Sequence, residues 1–171
     1  MNAISLLREQ LKQAHELLEN TVADVTPEQA HWIPPGIANP LGAIYAHALS
    51  VEDAVVNGLL KGNAPLFASA WKGKTGISEP QMHATFEWAR KLKIDLSTAR
   101  EYAQAVYAAT DVYFASLQDD DLERVIDLSK SGFGPTPMNW IVNNMIVGHA
   151  HSMMGEISCL KGLQGAKGYP Y

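Results

Sequence analysis

With 171 residues, 47% of them hydrophobic and 18% charged, the chain has the size and balance of one globular domain with a proper core, not of a disordered or fibrous protein. A net charge of −5 cannot neutralise phosphates in bulk, so nucleic acid is not an expected partner. The single cysteine, Cys159, excludes an internal disulfide framework, and no run approaches the ~18–20 apolar residues of a membrane span.

The chain turns polar at Arg8-Glu9-Gln10, before the apolar core of a signal peptide has formed, so the expected location is the cytoplasm. Ile4, Leu7, Leu11, Ala14 and Leu18 recur at three- and four-residue steps and predict a first amphipathic helix that runs out over Asn20–Asp24. Thr26-Pro27-Glu28-Gln29 predicts one short helical turn with Thr as cap and Gln at N3. His31-Trp32-Ile33-Pro34-Pro35-Gly36 cannot continue it and reads as a loop with an aromatic plug.

Asn39-Pro40 opens a second long helix whose buried face reads Ala43, Ile44, His47, Val51, Ala54, Val55 and Gly58, with Gly62 as its stop. Glu52 and Asp53 lie well round the helix from His47 and are expected to face solvent. Residues 63–78 read as loop, with Trp71 a cover for one end of the bundle or for a pocket mouth. Phe86, Trp88, Ala89 and Leu92 predict a short helix, with His83 exposed before it. From Asp95 a third long helix carries Leu96, Ala99, Ala103, Val106, Thr110, Tyr113 and Leu117 in register, an alanine-rich face that lets a neighbour approach closely. Asp119-Asp120-Asp121 reads as a solvated turn, and residues 122–134 as an extended connection.

The last helix is expected over Met138–Gly162, capped by Thr136 before Pro137. At about 100° per residue, Val142, Met145, Ile146, Met153 and Leu160 share one face with His149 in their midst. A lone histidine on such a face is ordinarily a core residue bonded to a carbonyl or hydroxyl. Two long helices each placing one at mid-stripe, His47 and His149, form a constellation that suits a metal site between facing helices. No nucleophile–base–orienter set stands out, and Cys159 has no basic neighbour fixed by spacing.

Four long helices with a long second-to-third connection, in a single domain over residues 1–171, make an all-α four-helix bundle. Trp32-Ile33-Pro34-Pro35-Gly36, Asn39-Pro40-Leu41-Gly42-Ala43, His47 and Glu52-Asp53 resemble the first signature of the DinB-like (DinB/YfiT-like) superfamily. His149-Ala150-His151-Ser152-Met153-Met154-Gly155-Glu156-Ile157 and the glycine-bearing tail resemble its second. The likeness runs from Thr26 to the end. It implies an up-down-down-up course and a divalent metal, zinc or nickel, held by three histidines. It also implies a frequent homodimer, and activities ranging over thiol-dependent transfer, isomerisation and hydrolysis.

The chain departs from that pattern at one ligand position. Carried over, the ligands are His47, His149 and residue 153, and residue 153 is Met153. Its thioether suits Cu(I) and replaces imidazole poorly on zinc or nickel. His151 points about 200° round the helix from His47's side, and Glu156 stands about 10 Å along the axis from His149, too far to share one ion. Glu156, Tyr113 and His151 remain candidate polar contacts for a bound ligand. The expected function is small-molecule binding, or a degenerate metal site, at the His47–His149 pair. The alternative is a zinc- or nickel-dependent hydrolase or a thiol-dependent transferase or isomerase.

Overall fold

Residues 1–171 are described by a computed structural model in which 63% of the residues are helical. Helix α1 (Ala3–Val22) buries the expected stripe, and Asn2 caps it by accepting from the Ser5 amide. The Asp119 carboxylate adds a second anchor, accepting from the amides of Ala3 and Ile4 at 3.1 and 3.0 Å. An anion over exposed helix N–H groups is the favourable end of the helix dipole, so this acidic turn does structural work as well as facing water. Helix α2 (Pro27–His31) has the expected reciprocal cap between Thr26 and Gln29. His31 is a tie: Nδ1 pairs with the Pro27 carbonyl oxygen, and Nε2 accepts the Ile94 amide.

Helix α3 (Leu41–Asp53) begins with Pro40 at its N-cap, one residue later than the Asn39-Pro40 pattern suggests, and continues as π-helix over Ala54–Leu60. Gly42 allows α2 and the Ile94 segment to lie against it, because a Cβ there would stand 2.7 Å from Ile94 Cγ2 and 2.9 Å from the Ala30 carbonyl oxygen. A long connection follows, with a 3₁₀ turn at Leu66–Ala68, then α4 (Phe86–Lys91) and α5 (Leu96–Ala115). The far end of α5 differs from its expected face: Phe114 is fully buried, while Tyr113 and Leu117 are only partly so.

Residues 122–134 are less extended than their composition suggests. Strands β1 (Val125–Asp127) and β2 (Pro135–Pro137) form a small antiparallel ribbon pairing Ile126 with Thr136. Pro137 therefore sits at the N-cap of α6 (Met138–Val142), and Thr136 bonds back to the Gly134 carbonyl instead of capping the helix. The last helix is not one α-helix. A π segment, Asn143–Val147, separates α6 from α7 (Gly148–Leu163), which stops before Gly165 at φ +77° and not at Gly162.

A π turn takes up one residue more than an α turn, rotating the face beyond it by about 100°. The core-facing set in α7 is accordingly Ala150, Met154, Ile157 and Leu160, with Met153 only half-buried. Gly148 closes that turn, since a Cβ there would lie 2.8 Å from the Asn143 carbonyl oxygen.

Helix α1 packs against α5 and α7, and so does α3, which is further covered by α2, α4 and the 3₁₀ turn. Every residue of α3 is buried except His47. The expected solvent face of α3 does not exist, and Glu52 and Asp53, at 5% and 0% exposure, are interior groups. The apolar core falls into two clusters, one around Leu18, Tyr45, Tyr102 and Ile157, the other around Leu11, Val55, Phe114 and Ile146. Each long helix also contributes a polar residue that bonds to another helix: His15, Glu52, Thr110 and His149. No helix is long and apolar enough to cross a membrane.

Candidate functional site

His47 is carried by the middle of α3, and His149 by the first turn of α7 just past the π segment. Their rings meet edge to face at 78°, with centroids 4.9 Å apart and Nε2 to Nε2 at 3.2 Å. Two neutral imidazoles make this contact by one Nε2–H donating to the other's lone pair. Burial, and the mutual repulsion with His149 and then His83, hold His47 down at about 4. Burial also lowers His149, opposed by the negative charge of Glu52. The pair is therefore built to be uncharged.

One nitrogen of this pair is both buried and without a partner. With Nε2 committed to His149, His47 Nδ1 is buried and makes no hydrogen bond. Either tautomer leaves it short, as a bare acceptor or as an unused donor, which costs about 1–3 kcal/mol unless something fills the place. Ser50, one turn further along α3, has a buried hydroxyl in the same condition.

Neither Met153, the carried-over third position, nor the candidate ligand contacts His151, Glu156 and Tyr113 bonds to the pair. Met153 is half-buried and packs on the core. His151 is exposed, with Nδ1 on the Val147 carbonyl of its own helix. Glu156 is also exposed as a residue, and partial burial of its carboxyl pushes it up. Tyr113 belongs to the other end of the bundle, where its hydroxyl meets Arg124 at 2.9 Å. Trp71 covers Tyr102, ring centroids 5.8 Å apart.

The metal implied by the family resemblance can be tested against these atoms. Bonds of about 2.0–2.1 Å at a tetrahedral angle place two ligand nitrogens about 3.3 Å apart, and the observed 3.2 Å matches. No group of three or more His, Cys, Asp or Glu side chains converges there, however. His47 Nδ1 also lacks the hydrogen bond that normally orients a ligating imidazole. The residues present therefore do not make a complete zinc or nickel site.

The interior holds a polar network that the sequence reading missed. His15 Nε2 lies 2.9 Å from Glu52 Oε2, Thr110 Oγ1 donates to Glu52 Oε1 at 2.7 Å, and the His15 ring stacks on Tyr107 at 3.8 Å. Buried Glu19 accepts from Tyr45 and Tyr107 hydroxyls and from Arg100 Nε. Both phenols are held protonated, first by burial and then by the Glu19 charge. Asp53 accepts from the Tyr102 hydroxyl, Asn57 Nδ2 and the amides of Leu66 and Phe67, pinning the long connection to α3. A signal existed for His15: it lies about 40° from Leu11 on α1, inside the apolar stripe. Glu52 and Asp53 gave none, because α3 has no polar face against which to judge them.

A family model described as the DinB superfamily matches residues 10–157. A conserved protein from Enterococcus faecalis, known from its crystal structure, superposes with a TM-score of 0.80 at 23% identity, covering 95% of this chain and 97% of that one. At that identity the likeness establishes the fold alone. No curated protein matches the chain.

Proposed function

Since this chain belongs to the DinB superfamily, and its paired imidazoles lack a third histidine, we propose that it binds a small polar molecule at a degenerate form of the three-histidine site. The carrying observation is the buried, unpartnered Nδ1 of His47. A ligand with one complementary hydrogen-bonding group satisfies that atom, and the neutral His47–His149 pair orients it. Ser50 supplies a second contact one turn away.

The alternative, a zinc- or nickel-dependent hydrolase or thiol-dependent transferase or isomerase, is favoured by one distance, the 3.2 Å between the Nε2 atoms. It needs a donor from outside the His, Cys, Asp and Glu side chains of this chain.

Elemental analysis of protein isolated without a metal-affinity column decides between the two. Zinc and nickel well below one per chain are expected, together with His47 imidazole ¹⁵N resonances that move when a mixture of small metabolites is added. One firmly held ion per chain overturns the proposal and selects the alternative.

We further infer an up-down-down-up course of the four long helices in one domain over residues 1–171. Its support is the long connection after α3 and the placing of α1 and α3 each against α5 and α7. A two-fold homodimer in the cytoplasm completes the proposal, and exposed Leu6, Val112, Phe133 and Trp140 are apolar surface that such a contact would cover.

A further inference from the structure

A cavity of about 220 Å³ lies where the end of α2, the first turn of α3 and the end of α4 meet, and neither His47 nor His149 is in its wall. Helix α4 stops at Lys91, after which Leu92 and Ile94 turn inward while Lys93 stays at the surface. The Ile94 amide donates to His31 Nε2, and this tie holds Arg90 and Lys93 on the same cavity. His31 is in the wall too, but both of its ring nitrogens are engaged. Most of the remaining wall is apolar, with Ile33, Leu92 and Ile94 its largest side chains.

Arg90 is the fixed group of this cavity. Its guanidinium carbon stands 4.3 Å from the centroid of the Phe86 ring, and Nη2 donates to the carbonyl oxygens of Gly36 and Ala38 at 2.9 and 3.4 Å. Nε and Nη1 donate to nothing, and Nε is buried. A guanidinium keeps its proton, so these nitrogens are donors at every pH the fold survives. No acidic side chain lines the cavity, and neither Arg90 nor Lys93 is in an ion pair. Acidic residues outnumber basic ones in this chain by 18 to 13, yet two cations on one cavity are left without a carboxylate. The group that answers them comes from outside the chain.

The planar N–H groups of a guanidinium match the two oxygens of a carboxylate. The cavity has the volume of about seven waters, room for a chain of a few carbons against Leu92 and Ile94. We propose that this cavity is a second binding site, for a short-chain aliphatic carboxylate whose oxygens are taken by the free nitrogens of Arg90 and by Lys93 at the rim. The site shares no residue with the His47–His149 pair, and either stands if the other fails.

NMR titration of the ¹⁵N-labelled full chain with sodium butyrate, butylammonium chloride and 1-butanol tests the proposal. Butyrate is expected to give saturable shifts at the Arg90 Nε–H and at the amides of His31 and residues 89–94, and the amine and the alcohol none. Inorganic phosphate, an anion without the chain, should bind more weakly than butyrate. Loss of hydrogen bonds to a charged group weakens binding about tenfold or more, and Arg90→Lys, which keeps the charge but not the planar fork, is expected to do so. Because Arg90 also ties the loop at Gly36 and Ala38, Lys93→Gln provides a second variant at an exposed position whose side chain bonds to nothing in the protein. It should leave Tm unchanged and weaken butyrate about two- to fivefold, as loss of an exposed charge does. No saturable shift with butyrate, equal binding of 1-butanol or phosphate, unchanged affinity in Lys93→Gln, or shifts confined to His47 and His149 would each overturn it.

Discussion

The substitution Met153→His asks whether the bundle still holds a three-histidine geometry. Residues 149 and 153 lie four apart in the uninterrupted α-helix of α7, the spacing that brings two side chains to one ion. His47 and His149 already place their Nε2 atoms 3.2 Å apart, close to the separation of two ligands on a tetrahedral ion. Met153 is half-buried, so the exchange forfeits only part of a core side chain, about 1 kcal/mol. The variant should then bind Zn²⁺ or Ni²⁺ much more tightly than its parent. At a free concentration of 100 Kd, linkage adds about 2.7 kcal/mol. In a protein of this size that raises Tm by about 5–10 °C.

Differential scanning calorimetry with and without zinc reads that shift, and titration calorimetry reads the stoichiometry. His151→Ala should change neither protein, because that side chain is exposed and bonded to its own helix. If the parent binds one zinc tightly and His151→Ala abolishes it, the placement of the ligand positions is wrong.

Acid should weaken the fold through the same pair. Burial holds His47 at about 4 against an ordinary 6.5 and lowers His149 as well, so folding favours the neutral forms. That contribution is whole above pH 6.5 and fades as pH falls from there toward 4, by at most about 1.4 kcal/mol per pH unit for each imidazole. Urea melts of the His47→Gln, His149→Gln double variant should show a flatter profile in that window, and an unchanged profile would mean that the two groups are not buried as a pair. Asp53→Ala strands four donors in the interior and should cost about 3 kcal/mol or more. A loss under 1 kcal/mol in the same assay would contradict its role as the pin of the long connection. Light scattering at micromolar concentration should give twice the chain mass of 18.6 kDa; a value near the single mass rules out the proposed dimer.

Helices whose one face meets water were legible from spacing alone. The stripe of α1 and the cap at Thr26 depend on residues within a turn of one another, and the structure has them where the pattern indicates. The inward placement of His47 and His149 was legible for the same reason, since each stands among apolar neighbours at helical intervals.

Other features are decided by distant parts of the chain. Helix α3 is enclosed on every side, so the rule that charge marks the outside failed for Glu52 and Asp53, whose partners are His15, Thr110, Tyr102 and the loop at Leu66–Phe67. The π segment before α7 exchanged Met153 for Met154 on the core face, and no local spacing signals one extra residue in a turn. Periodicity reports how a helix meets an average surrounding. Which side chain satisfies a buried carboxylate, and which nitrogen is left over, is set only when the helices pack.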